Sequence, residues 1–155
     1  MEDYDVVYWV AQKVDLDYAD PEMAIIWVPT AGAEDDDAMN TEWTDAEAYW
    51  DTLIVDNKYG YKNCNETKAW GIITPTTKSC FNLIFDASHF ESLYKLNVTD
   101  IDGLAIYAQH FPTEFESTTH YLIAPDGTPI EPLVETELST DDDDDEPKKV
   151  RRHYS

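Results

Sequence analysis

Glycine is scarce, with five in 155 residues, and cysteine scarcer, with two. So few glycines leave no phosphate-cradling loop and no G-x-S-x-G elbow, since both need glycine where backbone and substrate approach closely. Two cysteines permit at most one internal bridge. No stretch approaches eighteen apolar residues, so no segment reads as a membrane-spanning helix. Positive charge is the other shortage. Ten Lys and Arg stand against 33 acids, a net of −23, which argues against direct binding to nucleic-acid phosphates or to an anionic membrane face. Residues 1–5, Met-Glu-Asp-Tyr-Asp, lack the basic start and apolar core of a secretory signal.

Aromatic residues are plentiful: ten Tyr, five Trp and five Phe, within an apolar fraction of 43%. That composition suits one globular domain, and Tyr and Trp serve both β-rich cores and ligand pockets. The C-terminus "DDDDDEPKKVRRHYS" looks like an address, either a nuclear basic run or a dibasic processing site. From Ser139 onward, six acids meet four bases, a net of −2, so −21 belongs to residues 1–138. The expectation is a single acidic β-rich domain, 1–138, and a disordered acidic and basic tail, 139–155.

Residues 5–14 (DVVYWVAQKV) and 23–29 (MAIIWVP) read as strands separated by Asp and Pro punctuation, which predicts a hairpin. Residues 30–40 read as a polar loop. Thr44 and Glu47 make a capping-box pattern that predicts a short helix over 45–53. Residues 68–74 and 80–87 read as two strands joined by a turn. Residues 88–96, with Ser88 at a cap position, read as a helix or as an irregular segment. Residues 103–110 and 119–125 are the next strands, followed by an Asp126-Gly127 turn of the hairpin type. The sum is a mainly β fold, an antiparallel barrel or sandwich of seven or eight strands with one or two short helices. Asp100, Asp102 and Gly103 suggest a calcium loop, but an EF-hand needs an acid at its twelfth position. Phe111 stands there, so a turn into a strand explains them better.

The stretch Thr99-Asp100, a small turn and Leu104-Ala105-Ile106-Tyr107-Ala108 resembles the Thr-Asp-Tyr region that precedes a late barrel strand in lipocalins. The opening YDVVYWVAQKV is similar to the first strand of acidic, Tyr- and Trp-rich arthropod amine-binding lipocalins. The resemblance implies an eight-stranded barrel around a ligand pocket, and it makes a lipocalin-like barrel the favoured fold. The expected function is a secreted binding protein holding a small cationic or amphipathic ligand. Tyr8, Trp9, Trp27 and Tyr107 would supply aromatic surface, and Asp100 and Asp102 would sit at the mouth. The alternative is an acidic interaction module that covers a basic protein surface, or mimics nucleic acid, with no small-molecule site.

Cys64 and Cys80 are expected to form a disulfide if the protein is secreted, and Asn65 and Asn97 begin N-glycan acceptor triplets. Together they favour secretion over a nuclear or cytoplasmic location. His110 and His120, with Glu114 and Glu116 between them, suggest zinc or copper, but their spacing matches no tight metal motif and no metal is expected. Ser88-His89 are adjacent in sequence, which is not triad geometry. The expected partners are a small amine or amphipathic ligand, or a basic protein. No cofactor and no enzymatic activity are expected.

Overall fold

The computed structural model describes residues 4–30, 48–49, 64–76, 79–110, 112–131, 134–137 and 150–154. Within them the chain forms two mixed β-sheets, and no described helix is long and apolar enough to cross a membrane. Ten strands are present: β1 (Val6–Gln12), β2 (Glu22–Thr30), β3 (Asn65–Lys68), β4 (Ile72–Ile73), β5 (Phe81–Ile84), β6 (Glu91–Asn97), β7 (Gly103–Ala108), β8 (Leu122–Ile123), β9 (Val134–Glu137) and β10 (Val150–Tyr154). One 3-10 turn, Pro112–Phe115, precedes β8. The four-stranded sheet has the order β4-β6-β1-β8, and the six-stranded sheet the order β3-β5-β2-β7-β10-β9.

The sheets share no strand and do not close on each other, so the arrangement is a sandwich rather than the expected lipocalin-like barrel. The core lies between them. Val7, Trp9 and Ala11 of β1, with Tyr94 and Leu96 of β6, face Met23, Ile25 and Trp27 of β2 and Leu104 and Ile106 of β7. Trp9 meets Trp27 edge-on, centroids 5.6 Å apart at 75°, and Tyr121 lies 5.1 Å from Trp9. A second, smaller cluster covers the opposite face of the six-stranded sheet: Ala24, Ile26 and Val28 of β2, Ala105 and Tyr107 of β7, and both cysteines. Strands β2 and β7 are therefore buried on both faces, which is why they read as unbroken apolar runs.

Several expectations change. Residues 5–14 and 23–29 do not form a hairpin, because β1 and β2 belong to opposite sheets and meet through side chains. Runs 68–74 and 80–87 likewise divide, β4 to one sheet and β5 to the other. The sheets are mixed, not antiparallel throughout: β3 runs parallel to β5, and β4 parallel to β6. Residues 88–96 hold no helix. In β6, Ser92, Tyr94 and Leu96 point inward while Glu91, Leu93, Lys95 and Asn97 are half-exposed, so period 2 prevails over the helical spacing. Ser88 caps nothing; its N–H and hydroxyl both donate to Asp86 Oδ1 in a tight turn.

Of the helix expected over 45–53, only Ala48 and Tyr49 lie among the described residues, and both are helical. The loop expected over 30–40 lies outside them beyond Thr30. The Asp126-Gly127 turn is present: Gly127 N–H donates to Ala124 O, Ala124 N–H to Thr128 O, and Gly127 adopts a φ of 88°. The expected tail differs in one part. Residues 138–149 lie outside the described set, but Val150–Tyr154 pair antiparallel with β7 on one side and β9 on the other.

Cys64 and Cys80 are bridged, with Cα atoms 4.6 Å apart. Each stands just before one of the parallel strands β3 and β5, where Asn65 N–H donates to Cys80 O. The chain between them, whose ends are 16 positions apart, crosses to the other sheet to form β4 and returns. The bridge thus closes a covalent ring spanning both layers. Opening it is expected to cost about 3 kcal/mol in the chain-entropy account, read as a lower melting temperature with reductant or in a Cys64→Ala, Cys80→Ala double variant. Ending the chain at Leu138 removes β10 and bares the edge of β7, so a drop in melting temperature of more than a few degrees is expected, where a merely disordered tail would leave it unchanged.

Candidate interaction surface

The pairing directions bring the β1–β2, β5–β6 and β7–β8 connections to one end of the sandwich. β1 ends there and β2 begins there; β5, β7 and β9 also end there, and β6, β8 and β10 begin there. The β1–β2 connection folds back as a tight hairpin. Val14 and Asp17 exchange both backbone hydrogen bonds, 2.9 and 3.3 Å, around Asp15 and Leu16. Both central residues have positive φ, 53° and 75°, the pattern of a type I′ turn. Asp tolerates that region; leucine does not, and its Cβ crowding costs about 1–2 kcal/mol. Leu16 nevertheless occupies the tip, 93% exposed.

Side chains knit this hairpin to its neighbours. The Tyr18 hydroxyl donates to His89 O and shares a 3.0 Å hydrogen bond with Ser92, while its ring stacks on Phe85. Burial raises the Tyr18 phenol above its ordinary value, and the bond to Ser92 partly offsets this. Tyr94, deeper in the core, donates to Ile84 O at 2.5 Å, and burial raises its phenol much further. Lys13 Nζ donates to Ala87 O at 2.6 Å and lies over the Tyr18 ring. His110 Nε2 stands 3.0 Å from Asp20, which ties the β7–β8 connection to the β1–β2 connection.

Gln12 is the centre of this knot. It is almost fully buried, and its Oε1 accepts from three consecutive backbone N–H groups, Ser117, Thr118 and Thr119, at 2.9–3.0 Å. Its Nε2 donates to Glu91 Oε2 and Thr118 Oγ1. Three amides converging on one oxygen form the concavity that elsewhere holds anions, here filled by the chain's own amide. Nothing in the sequence marks Gln12 beyond a polar residue closing an apolar strand, because its partners lie 79 to 107 positions away.

Charge on the described residues of the first three connections is one-sided. Asp15, Asp17, Asp20 and Glu22 come from the first connection, Asp86 and Glu91 flank the β5–β6 connection, and Glu114 and Glu116 lie in the third; Lys13 is the one lysine among them. The Asp86 carboxyl is held below its ordinary value by the Ser88 hydroxyl and N–H, with a smaller contribution from His89, whose Nδ1 is 2.7 Å away. Three large apolar side chains are exposed among these acids: Leu16, Phe90 (50%) and Val14 (39%). Lys13 N–H donates to Phe90 O, which carries the β1–β6 pairing one residue beyond Gln12 and Glu91.

The residues expected to line a ligand pocket are not brought together. Trp9 and Trp27 are in mutual contact inside the core. Tyr107 lies in the other cluster, across the six-stranded sheet, and Tyr8 is half-exposed on the outer face of the four-stranded sheet. Asp100, with φ 60°, forms the turn into β7, where Ile101 N–H donates to Val98 O; Asp102 is exposed beside it. Trp27 Nε1 is buried without a hydrogen-bond partner, an expense the core tolerates.

Asn65 is exposed at the start of β3. Asn97 is half-buried at the end of β6, and its Oδ1 accepts from the N–H and hydroxyl of Thr99. The histidines do not converge on a metal site: His110 meets Asp20 and Glu114, His120 meets Glu116 at 2.7 Å, and no group of three metal-binding side chains forms among the described residues. Ser88 and Asp86 both bond the Nδ1 of His89, whereas a triad uses opposite ring nitrogens. Comparison with protein-family models, curated proteins and solved structures returned no match.

Two measurements test this end. Gln12→Ala removes the shared acceptor of three part-buried amides and a partner of Glu91, so a stability loss of about 1–3 kcal/mol is expected in denaturant titration. The Asp86 carboxyl should titrate by NMR with a midpoint below that of an unfolded aspartate, and Ser88→Ala should move it upward. A depressed folded value stabilises above the unfolded carboxylate range and is lost as pH falls through the folded midpoint.

Proposed function

We propose that the protein is an acidic interaction module whose loop end binds a cationic, partly apolar surface on another protein. The observation that carries this reading is Leu16: a leucine held in a left-handed turn, almost wholly in water, between two aspartates. A turn of this type favours Asn-Gly or Asp-Gly, so folding alone has no use for leucine there. Backbone strain combined with apolar exposure is a recurrent mark of recognition residues. Carboxylates around the apolar side chains would steer lysines and arginines, while Leu16 and Phe90 would supply the desolvated contact. An oxidising compartment, and with it secretion, is part of the proposal; the Cys64–Cys80 bridge supports it. Against a small-ligand pocket stands the mutual packing of Trp9 and Trp27, whose rings would have had to line it.

The test is calorimetry with a short lysine–leucine amphipathic peptide, an all-lysine peptide of equal charge, and tryptamine. The amphipathic peptide should bind best and weaken as salt rises from about 20 to about 300 mM, where the Debye length falls below 10 Å. Leu16→Gly should weaken it at least about fivefold, roughly 1 kcal/mol, while the melting temperature stays level or rises because strain is relieved. Equal affinity for the all-lysine peptide would reduce the site to nonspecific charge. Tight tryptamine binding that survives salt, and is lost in Trp27→Phe, would restore the enclosed pocket.

A further inference from the structure

The outer face of the four-stranded sheet has the opposite character. One row of the ladder crosses all four strands: Ile72 pairs with Lys95, Lys95 with Tyr8, and Tyr8 with Ile123. Leu93 stands in the next row, opposite Val10. Beside it, Trp70 donates its N–H to Leu93 O. Among the outward residues of these strands the one acid is Glu91, already bonded to Gln12. In a chain with 33 acids, a sheet face whose open part holds none, and has a lysine at its centre, is an exception. Ile72 is 70% exposed and Trp70 58%. Trp70 is the third residue of a turn closed by Gly71 N–H on Lys68 O, with φ 73°, where glycine or asparagine is the ordinary choice.

We propose that this face docks a second kind of partner, a protein segment whose apolar side chains are flanked by carboxylates. Trp70, Ile72 and Leu93 supply apolar surface. Lys95, in the row, and Lys68, exposed at the turn that carries Trp70, supply the complementary charge. A second copy of this chain is a poor occupant, because two chains of −23 repel and Lys95 would approach its own kind on a two-fold axis. The same net charge gives the contact a salt dependence of its own. At low ionic strength the whole molecule repels an acidic segment, and salt screens that long-range repulsion before it screens a short lysine–carboxylate pair. Binding here should strengthen with moderate salt, the reverse of binding at the loop end.

The experiment uses the full chain, methyl-labelled, titrated with a valine–glutamate alternating peptide and its valine–lysine counterpart. The glutamate peptide should shift the methyls of Ile72, Leu93 and Ile123 and bind more tightly at about 150 mM than at about 10 mM salt, as the Debye length falls from roughly 30 to 8 Å. Ile72→Glu should weaken it at least about tenfold. Lys95→Glu should turn the preference toward the lysine peptide. Trp70→Asn should reduce binding without loss of thermal stability, since asparagine accepts the turn. Leu16→Gly should leave this titration unchanged, so failure at either site is recognised separately. Equal shifts of the Ile72, Leu93 and Ile123 methyls by both peptides, an unchanged preference at these methyls in Lys95→Glu, or shifts by the glutamate peptide confined to other parts of the chain would overturn the proposal. Concentration-dependent dimerisation in sedimentation that moves the same methyls would overturn it in favour of a second copy.

Discussion

The edge-on contact of Trp9 with Trp27 is the point on which the two sheets turn. Each indole sits near the middle of its strand, β1 in one layer and β2 in the other, and 5.6 Å separates the ring centroids. Tyr121 on one side and Phe81 on the other extend the aromatic contact. A buried Trp of this kind contributes about 3–5 kcal/mol by truncation. Here the pair also sets the spacing of the layers and therefore which face of every other strand is inside. It must outweigh a self-repulsion of −23, which pushes a compact chain apart. With the largest rings committed to holding the layers together, the recognition proposed above falls to the surface.

That surface is organised by where strands end. Three connections meet over the end of the sandwich, and long-range hydrogen bonds hold them rather than local ones: Gln12 to 117–119, Tyr18 to His89 and Ser92, His110 to Asp20. Loops tied in this way can carry strained residues, because neighbours over-determine their backbone. Among the described residues, Leu16 and Trp70 are the two bulky apolar side chains found in left-handed turns, and both proposed contacts use them.

The two surfaces differ in sign. At the loop end apolar side chains stand among carboxylates; on the outer face of the four-stranded sheet they stand beside lysines. A molecule so acidic overall attracts cations from every direction, so net charge alone provides little selectivity. The apolar residues at each surface, and the local departure from the average charge, would distinguish one partner from another.

The sequence by itself determined the local character of the chain. Apolar runs announced β1, β2 and β7, Asp126-Gly127 announced a left-handed turn, and two cysteines allowed one bridge. These features act over a few residues, through sterics, propensity and burial periodicity, and so can be read locally. Only the tertiary structure decided the pairings. β1 and β2 look like a hairpin in sequence because each is followed by turn residues, yet the side chains of both are long enough to meet across layers instead. β6 looked helical because Phe90, Leu93 and Tyr94 share a helical face, but Tyr94 and Leu96 needed the interior that only β1 and β2 together create. The same reason places Trp9 and Trp27 between the sheets and Tyr107 across the six-stranded sheet. Whether a tryptophan faces a ligand or another tryptophan depends on which strands lie opposite, and that depends on contacts made across most of the chain's length.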